Sequence, residues 1–168
     1  IKASPKEVKN YLSLGQAYIK AGEMSKADLE IRKAQKMDEK LPDGWFALAD
    51  LYYAQKVYPL AIANYNKGLK LDPTNIPARV NLATSYYTSA RSEEDNDLKQ
   101  NYYNESLNQW EIVANKDPKN ANAFWEAGKI YYFSETWDNA AIYLNKYIQL
   151  RPDHALARYY LTESLYKI

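Results

Sequence analysis

Residues 121–154 read ANAFWEAGKIYYFSETWDNAAIYLNKYIQLRPDH. The stretch divides into two short amphipathic segments joined by a tight turn. Phe124, Ala127, Gly128 and Tyr131 follow one another at spacings of three, one and three, which places them on one helical face. Ala140, Leu144 and Tyr147 share a face of the second segment. Ala127, Gly128 and Ala140 are small, so two antiparallel helix axes can approach closely, with Phe124 and Tyr131 filling the space on either side. Pro152 ends the second helix, because the residue before a proline is pushed out of the helical region. Asp153 is then placed to cap a following helix.

The pattern recurs upstream. Ser4-Pro5-Lys6-Glu7 pairs a capping Ser with a Glu three residues later and sets a proline at the first helical position. Tyr11, Leu14, Gly15 and Tyr18 then repeat the spacing, and Gly22 can close the helix in the left-handed conformation. Ser25 is read as the cap of the next helix, which carries Ala27, Ile31 and Ala34 and fades at Asp38-Glu39. Pro42 opens another pair. Trp45, Leu48, Ala49 and Tyr52 lie on its first helix, and Ala61, Tyr65, Gly68 and Leu71 on its second. Pro59 sits near a helix start, where its missing N–H costs least, and Asp72-Pro73 ends the pair.

The order W-x2-L-G-x2-Y, then A-x3-F, then P, at a period of 34 residues, resembles the tetratricopeptide repeat. The matching residues are Trp45, Leu48, Ala49, Tyr52, Ala61, Tyr65 and Pro73 in one unit. In the last they are Phe124, Ala127, Gly128, Tyr131, Ala140, Leu144 and Pro152. The resemblance implies an all-α fold, an α-α superhelix of four helix-turn-helix repeats plus a C-terminal capping helix, within a single domain of residues 1–168. The repeats fall at about 8–41, 42–75, 76–120 and 121–154, and the capping helix at 155–168. Leu161, Thr162 and Leu165 give that last helix a first-helix pattern with no second helix after it.

The third unit departs from the pattern twice. Arg79 stands where the large aromatic stands elsewhere. It is expected to lay its methylenes over the core and send its guanidinium to solvent, with Trp110 on the paired helix supplying volume. The unit is also 45 residues long, so 11 are inserted, near 91–101. Leu98, Tyr102, Ser106, Trp110 and Val113 keep a helical spacing. The second helix is therefore expected to extend back to about Asp97, after an acidic loop near 92–96.

Resemblance to the family further implies that first helices line a concave groove, with positions 2, 5, 9, 12 and 13 of each unit facing it. Position 5 is Leu12, Phe46, Val80, Trp125 and Tyr159; position 9 is Gln16, Asp50, Thr84, Lys129 and Glu163. Position 12 is Ile19, Tyr53, Tyr87, Tyr132 and Tyr166, and position 13 adds Lys20 and Phe133. This implies a groove with an aromatic, apolar floor and a few polar groups that set register. Phe46 and Trp125 are the expected anchors, since position 5 is not a core position in the family. Some family members hold the C-terminal carboxylate of chaperones in a ring of Lys, Asn and Arg. Here the corresponding positions offer Leu12, Gln16, Ala47 and Asp50, and Asp50 would repel a carboxylate, so that mode is not expected.

Composition narrows the remaining classes. The chain has 168 residues, 46% of them hydrophobic, enough for a buried core. Its net charge of +1 gives no broad footprint for nucleic acid or an anionic membrane, and no apolar run is long enough to cross a bilayer. It begins IKASPKEV, without an initiator Met or a signal peptide, and is read as a trimmed or mature fragment. The absence of Cys excludes disulfides, thiolate chemistry and Cys-zinc sites. His154, the sole histidine, is read as a solvated turn residue. The cluster Glu93-Glu94-Asp95-x-Asp97 lacks the Gly of a calcium loop and is read as a solvated loop. No catalytic residue, metal site or cofactor is expected.

The expected function is a protein-interaction scaffold that binds a partner peptide or helix in its groove. A self-assembling module is the alternative. Carbohydrate binding, suggested only by the 17 Tyr, is a third reading. Composition suggests a bacterial source, with the compartment open between cytoplasm and periplasm.

Overall fold

The computed structural model describes residues 5–168, of Pro5 the backbone alone. The described residues form α1 (Pro5–Lys20), α2 (Met24–Met37), α3 (Pro42–Ala54), α4 (Tyr58–Leu71), α5 (Ile76–Ser92), α6 (Asn96–Lys116), α7 (Ala121–Phe133), α8 (Trp137–Leu150) and α9 (Ala155–Lys167). Ser4, the expected cap of the first helix, lies outside the described residues. The helices part into two compact units, α1–α5 up to Ser92 and α6–α9 from Glu93 onward.

In the first unit α1 packs on α2, α3 on α4, and α5 on α4. One core cluster joins Val8, Leu12, Ala27, Ile31, Ala34, Ala47, Leu48 and Leu51. A second joins Phe46, Ala49, Ala61, Ile62, Tyr65, Leu69, Ala78 and Leu82. The close approach of α3 and α4 depends on Gly68, because a Cβ there would collide with the Phe46 ring. In the second unit α7 packs on α6 and α8, and α8 on α9. Trp110, Val113, Ala127, Ala140, Leu144 and Ala157 are buried there. A Cβ on Gly128 would stand 3.0 Å from Leu144 Cγ, so the small residues read from 121–154 mark a true close contact.

The turns inside the helix pairs share one geometry. Gly22, Lys56 and Glu135 all take the left-handed conformation, with φ of 78°, 61° and 58°. In each the next N–H reaches back five residues, Glu23 to Tyr18, Val57 to Tyr52 and Thr136 to Tyr131, at 2.9 Å in each case. That is the helix-closing bond of a Schellman motif, and it satisfies a carbonyl the helix end would leave free. Gly22 adopts this conformation at no steric cost; Lys56 and Glu135 do so against it.

Several local expectations change. Ser25 lies within α2, whose N-cap is Glu23, and His154 rather than Asp153 stands at the N-cap of α9; neither cap makes a side-chain bond. The side-chain caps occur elsewhere. Asn75 Oδ1 accepts from Ala78 N at 2.9 Å, and Asn120 Oδ1 from Ala123 N at 3.2 Å. Asp95 Oδ1 accepts from Leu98 N at 2.9 Å, so part of the acidic cluster is a helix cap. The insertion adds no loop. The connection from α5 to α6 stays at three residues, like the turns α1–α2, α3–α4 and α7–α8. Four of the 11 extra residues lengthen α5 to 17 residues against 13 for α3 and α7. Seven lengthen α6 to 21 against 14 for α4 and α8. Arg79 does not send its guanidinium free to solvent: Nη2 donates to the Pro73 carbonyl at 3.0 Å.

Candidate functional site

In the first unit the first helices of three consecutive repeats line an open cavity of about 340 Å³. α1 supplies Lys9, Leu12, Ser13 and Gln16; α3 supplies Asp43, Phe46 and Asp50; α5 supplies Pro77, Ala78 and Asn81. Tyr65 from α4 and Asn75 from the turn complete the lining. Four of the expected groove residues therefore meet here: Leu12, Gln16, Phe46 and Asp50. They do not all play the expected part. Leu12 and Phe46 are buried, 7% and 9% exposed, and belong to the core clusters. Phe46 is held because Gly68 leaves room for its ring, so in this repeat position 5 is a core position with one edge on the cavity.

Asp50 is the unusual group in this lining. Tyr65 Oη donates to its Oδ1 at 2.5 Å and Asn81 Nδ2 to the same oxygen at 3.3 Å. Both bonds fall on one oxygen, and Oδ2 has no donor among the described residues. Burial pushes the carboxyl above its ordinary aspartate range, and the two donors pull it back in part. Burial also drives the Tyr65 hydroxyl far upward, and the Asp50 charge adds to that, so Tyr65 remains a fixed donor. The result is a partly desolvated carboxylate, oriented from one side.

Of the other expected groove residues in this unit, Tyr53 is half-buried, its ring 5.7 Å edge-on from Tyr58. Val80, Thr84 and Tyr87 are half-buried on α5, and the Thr84 hydroxyl donates to the Val80 carbonyl at 2.9 Å. These four do not line the cavity.

In the second unit Trp125, Lys129, Tyr132, Phe133 and Tyr159 gather around a residue the sequence reading passed over, Tyr160. Its ring stacks on Tyr132 at 4.2 Å and on Trp125 at 5.9 Å. It also meets Phe133 at 5.8 Å and Tyr159 at 5.9 Å. Lys129 Nζ lies 5.2 Å over the Trp125 ring and pairs with Glu126 at 2.9 Å. Tyr132 Oη donates to Glu163 Oε2 at 2.5 Å. Trp125 is thus half-buried among rings, while Phe133 and Tyr159 are 66% and 59% exposed. His154 is not a solvated turn residue. It packs 4.7 Å from Trp125 and 5.4 Å from Tyr147, and its Nδ1 is buried without a hydrogen-bond partner among the described residues.

Asn81 and Tyr160, two of the site residues missed, both occupy position 6 of their repeats. No spacing within one repeat carries this; it shows in contacts between repeats, where Asp50 to Asn81 and Tyr132 to Glu163 are each 31 residues apart. First helices of successive repeats therefore meet about one turn short of the 34-residue period.

Among the described residues no helix is long and apolar enough to cross a membrane. Sequence models described as TPR repeat or tetratricopeptide repeat match residues 8–41, 49–89 and 95–155. A TPR repeat-containing protein of Methanocaldococcus jannaschii is 27% identical over 89% of this chain and 30% of its own length. Hsp70-Hsp90 organizing protein 1 of Glycine max is 31% identical over 45% of this chain and 13% of its own. The chain thus spans less than a third of either relative. Among solved structures, MamA of AMB-1 aligns with a TM-score of 0.77 at 18% identity, over 98% of this chain and 84% of its own. A thermophilic TPR protein of Thermus thermophilus gives 0.67 at 21% identity, over 94% and 80%. Pseudomonas aeruginosa pilF gives 0.71 at 22% identity, over 96% and 69%. Those likenesses concern the fold. Proteins built from such repeats are typically non-enzymatic scaffolds that mediate protein–protein contacts. On its period, its shared turn geometry and these matches, the chain belongs to the tetratricopeptide repeat family.

Proposed function

We propose that this chain is a protein-interaction module that holds a segment of a partner polypeptide against the first helices α1, α3 and α5. The observation that carries the reading is the open cavity those helices line, with its half-buried, oriented Asp50. Three repeats contribute to one concave surface, which suits an extended or helical segment better than a small ligand. Gln16 and Ser13 are exposed along its edge, and Leu12 and Phe46 give it an apolar base.

The test blocks the cavity without touching the core. A partner captured by the wild-type chain is titrated against Ser13→Trp/Gln16→Trp. Both positions are exposed, so the fold is expected to survive, and circular dichroism checks that. Affinity should fall at least about tenfold, the scale of losing a contact near an interface centre. Unchanged affinity would move the site off this face.

Self-association is the second reading, and α9 favours it. Leu156, Tyr159, Leu165, Tyr166 and Ile168 are 46% to 86% exposed at this end of the second unit, an apolar display of the kind that interfaces cover. Light scattering coupled to size exclusion decides: a mass that rises with concentration and drops back in Leu165→Lys/Tyr166→Lys supports it. A constant monomer mass rejects it.

A further inference from the structure

We infer that the α1–α3–α5 cavity is a subsite for a cationic side chain of the bound polypeptide, a lysine ammonium or an arginine guanidinium, with Asp50 Oδ2 as its acceptor. The inference rests on the proposed groove binding and says what chemistry the groove selects. Tyr65 and Asn81 both donate to Oδ1, which fixes the carboxylate plane and leaves the second oxygen for a donor from outside the chain. A pre-oriented carboxylate with one oxygen spoken for is built to accept a charge-assisted hydrogen bond.

Charge in the lining agrees. Asp43 and Asp50 bring two negative charges and Lys9 one positive charge, and among the described residues no ion pair falls on either aspartate. Lys9 is exposed on α1, and its flexible ammonium can stay in water. Leu12, Phe46, Pro77 and Ala78 line the remaining wall, and such a wall accepts the methylene stem of a lysine or arginine while the head reaches the carboxylate. The volume of about 340 Å³ admits such a side chain. Burial of the Asp50 carboxyl adds a drive in the same direction, since an incoming cation neutralises a charge that water no longer fully solvates.

Three synthetic pentapeptides test this, each acetylated and amidated, with lysine, norleucine or glutamate at the centre of four alanines. Nuclear magnetic resonance follows the side-chain amide of Asn81, which touches Asp50 directly. The lysine peptide should shift that amide saturably in the wild-type chain, and the norleucine and glutamate peptides should not. Asp50→Asn keeps an acceptor for Tyr65 and Asn81 while removing the charge. It should weaken the lysine peptide by at least about tenfold, as expected for loss of a charged partner. Glu39→Gln, an exposed carboxylate outside the cavity lining, should leave the affinity within about twofold. Equal shifts from norleucine, no shift from lysine, or wild-type affinity in Asp50→Asn each overturn the cationic subsite. Groove binding fails separately, through the Ser13→Trp/Gln16→Trp titration.

Discussion

Phe46 shows how one neighbour changes a residue's role. By its place in the repeat it reads as groove floor, yet its ring occupies the space that Gly68 leaves on α4. No periodicity within α3 carries that fact, because the cause lies on another helix. Gly68→Ala should therefore destabilise the protein by about 1–3 kcal/mol, the cost of overpacking, despite the better helix propensity of alanine. Denaturant titration checks this, and Phe46→Leu in the same chain should restore part of the loss. The left-handed turn residues give the opposite case. Gly22 was legible as a helix-closing glycine, and Lys56 follows it by one period and holds the same conformation with a side chain. Lys56→Gly and Glu135→Gly should each raise stability by up to about 1 kcal/mol through relief of that strain. A fall in the denaturation midpoint would contradict the turn assignment.

Between helices, the abundant tyrosines act as polar ties. Tyr65 joins α4 to Asp50 on α3, and Tyr132 joins α7 to Glu163 on α9. Glu111 Oε1 on α6 accepts from Tyr131 on α7 at 2.5 Å and from Tyr143 on α8 at 3.1 Å. These four hydroxyls each donate to a carboxylate of this chain. Burial and the Glu111 charge push the Tyr143 hydroxyl up to about 12 and raise that of Tyr131 as well. A hydroxyl whose folded value lies above its ordinary value, about 10, lends stability that is whole below pH 10 or so and is lost as pH rises through the folded value. The denaturant midpoint should thus fall from about pH 10 toward 12, and Tyr131→Phe/Tyr143→Phe should flatten that fall. At neutral pH each substitution should cost about 1 kcal/mol, low for a charged acceptor because both side chains are only partly buried. At this scale the starts of α3 and α4 and the backward reach of α6 were legible from proline positions and spacing, and the caps of α2 and α9 were not. The caps Asn75 and Asn120 and the division of the insertion between α5 and α6 were not. A single repeat does not show which of several polar residues turns toward the backbone, nor how a longer pair shares its extra turns.

For the molecule as a whole, a repeat of 34 residues was enough to read the fold, because each unit must bury its apolar stripe on its neighbours. The candidate site was legible only in part. Leu12, Gln16, Phe46 and Asp50 follow from the repeat positions, but Tyr65 belongs to a second helix, and Asn81 and Tyr160 lie one residue past position 5. What completes the cavity is the meeting of three repeats, a relation no single repeat encodes. The central claim, that a partner polypeptide lies against α1, α3 and α5, is tested most directly by site-specific photo-crosslinking in source cells. The crosslinker is placed at Gln16, exposed on the cavity edge of α1, and for comparison at Lys36, exposed on α2. The expected result is a crosslinked polypeptide from Gln16 and none from Lys36. Crosslinks from Lys36 alone, or equally from both, would contradict it.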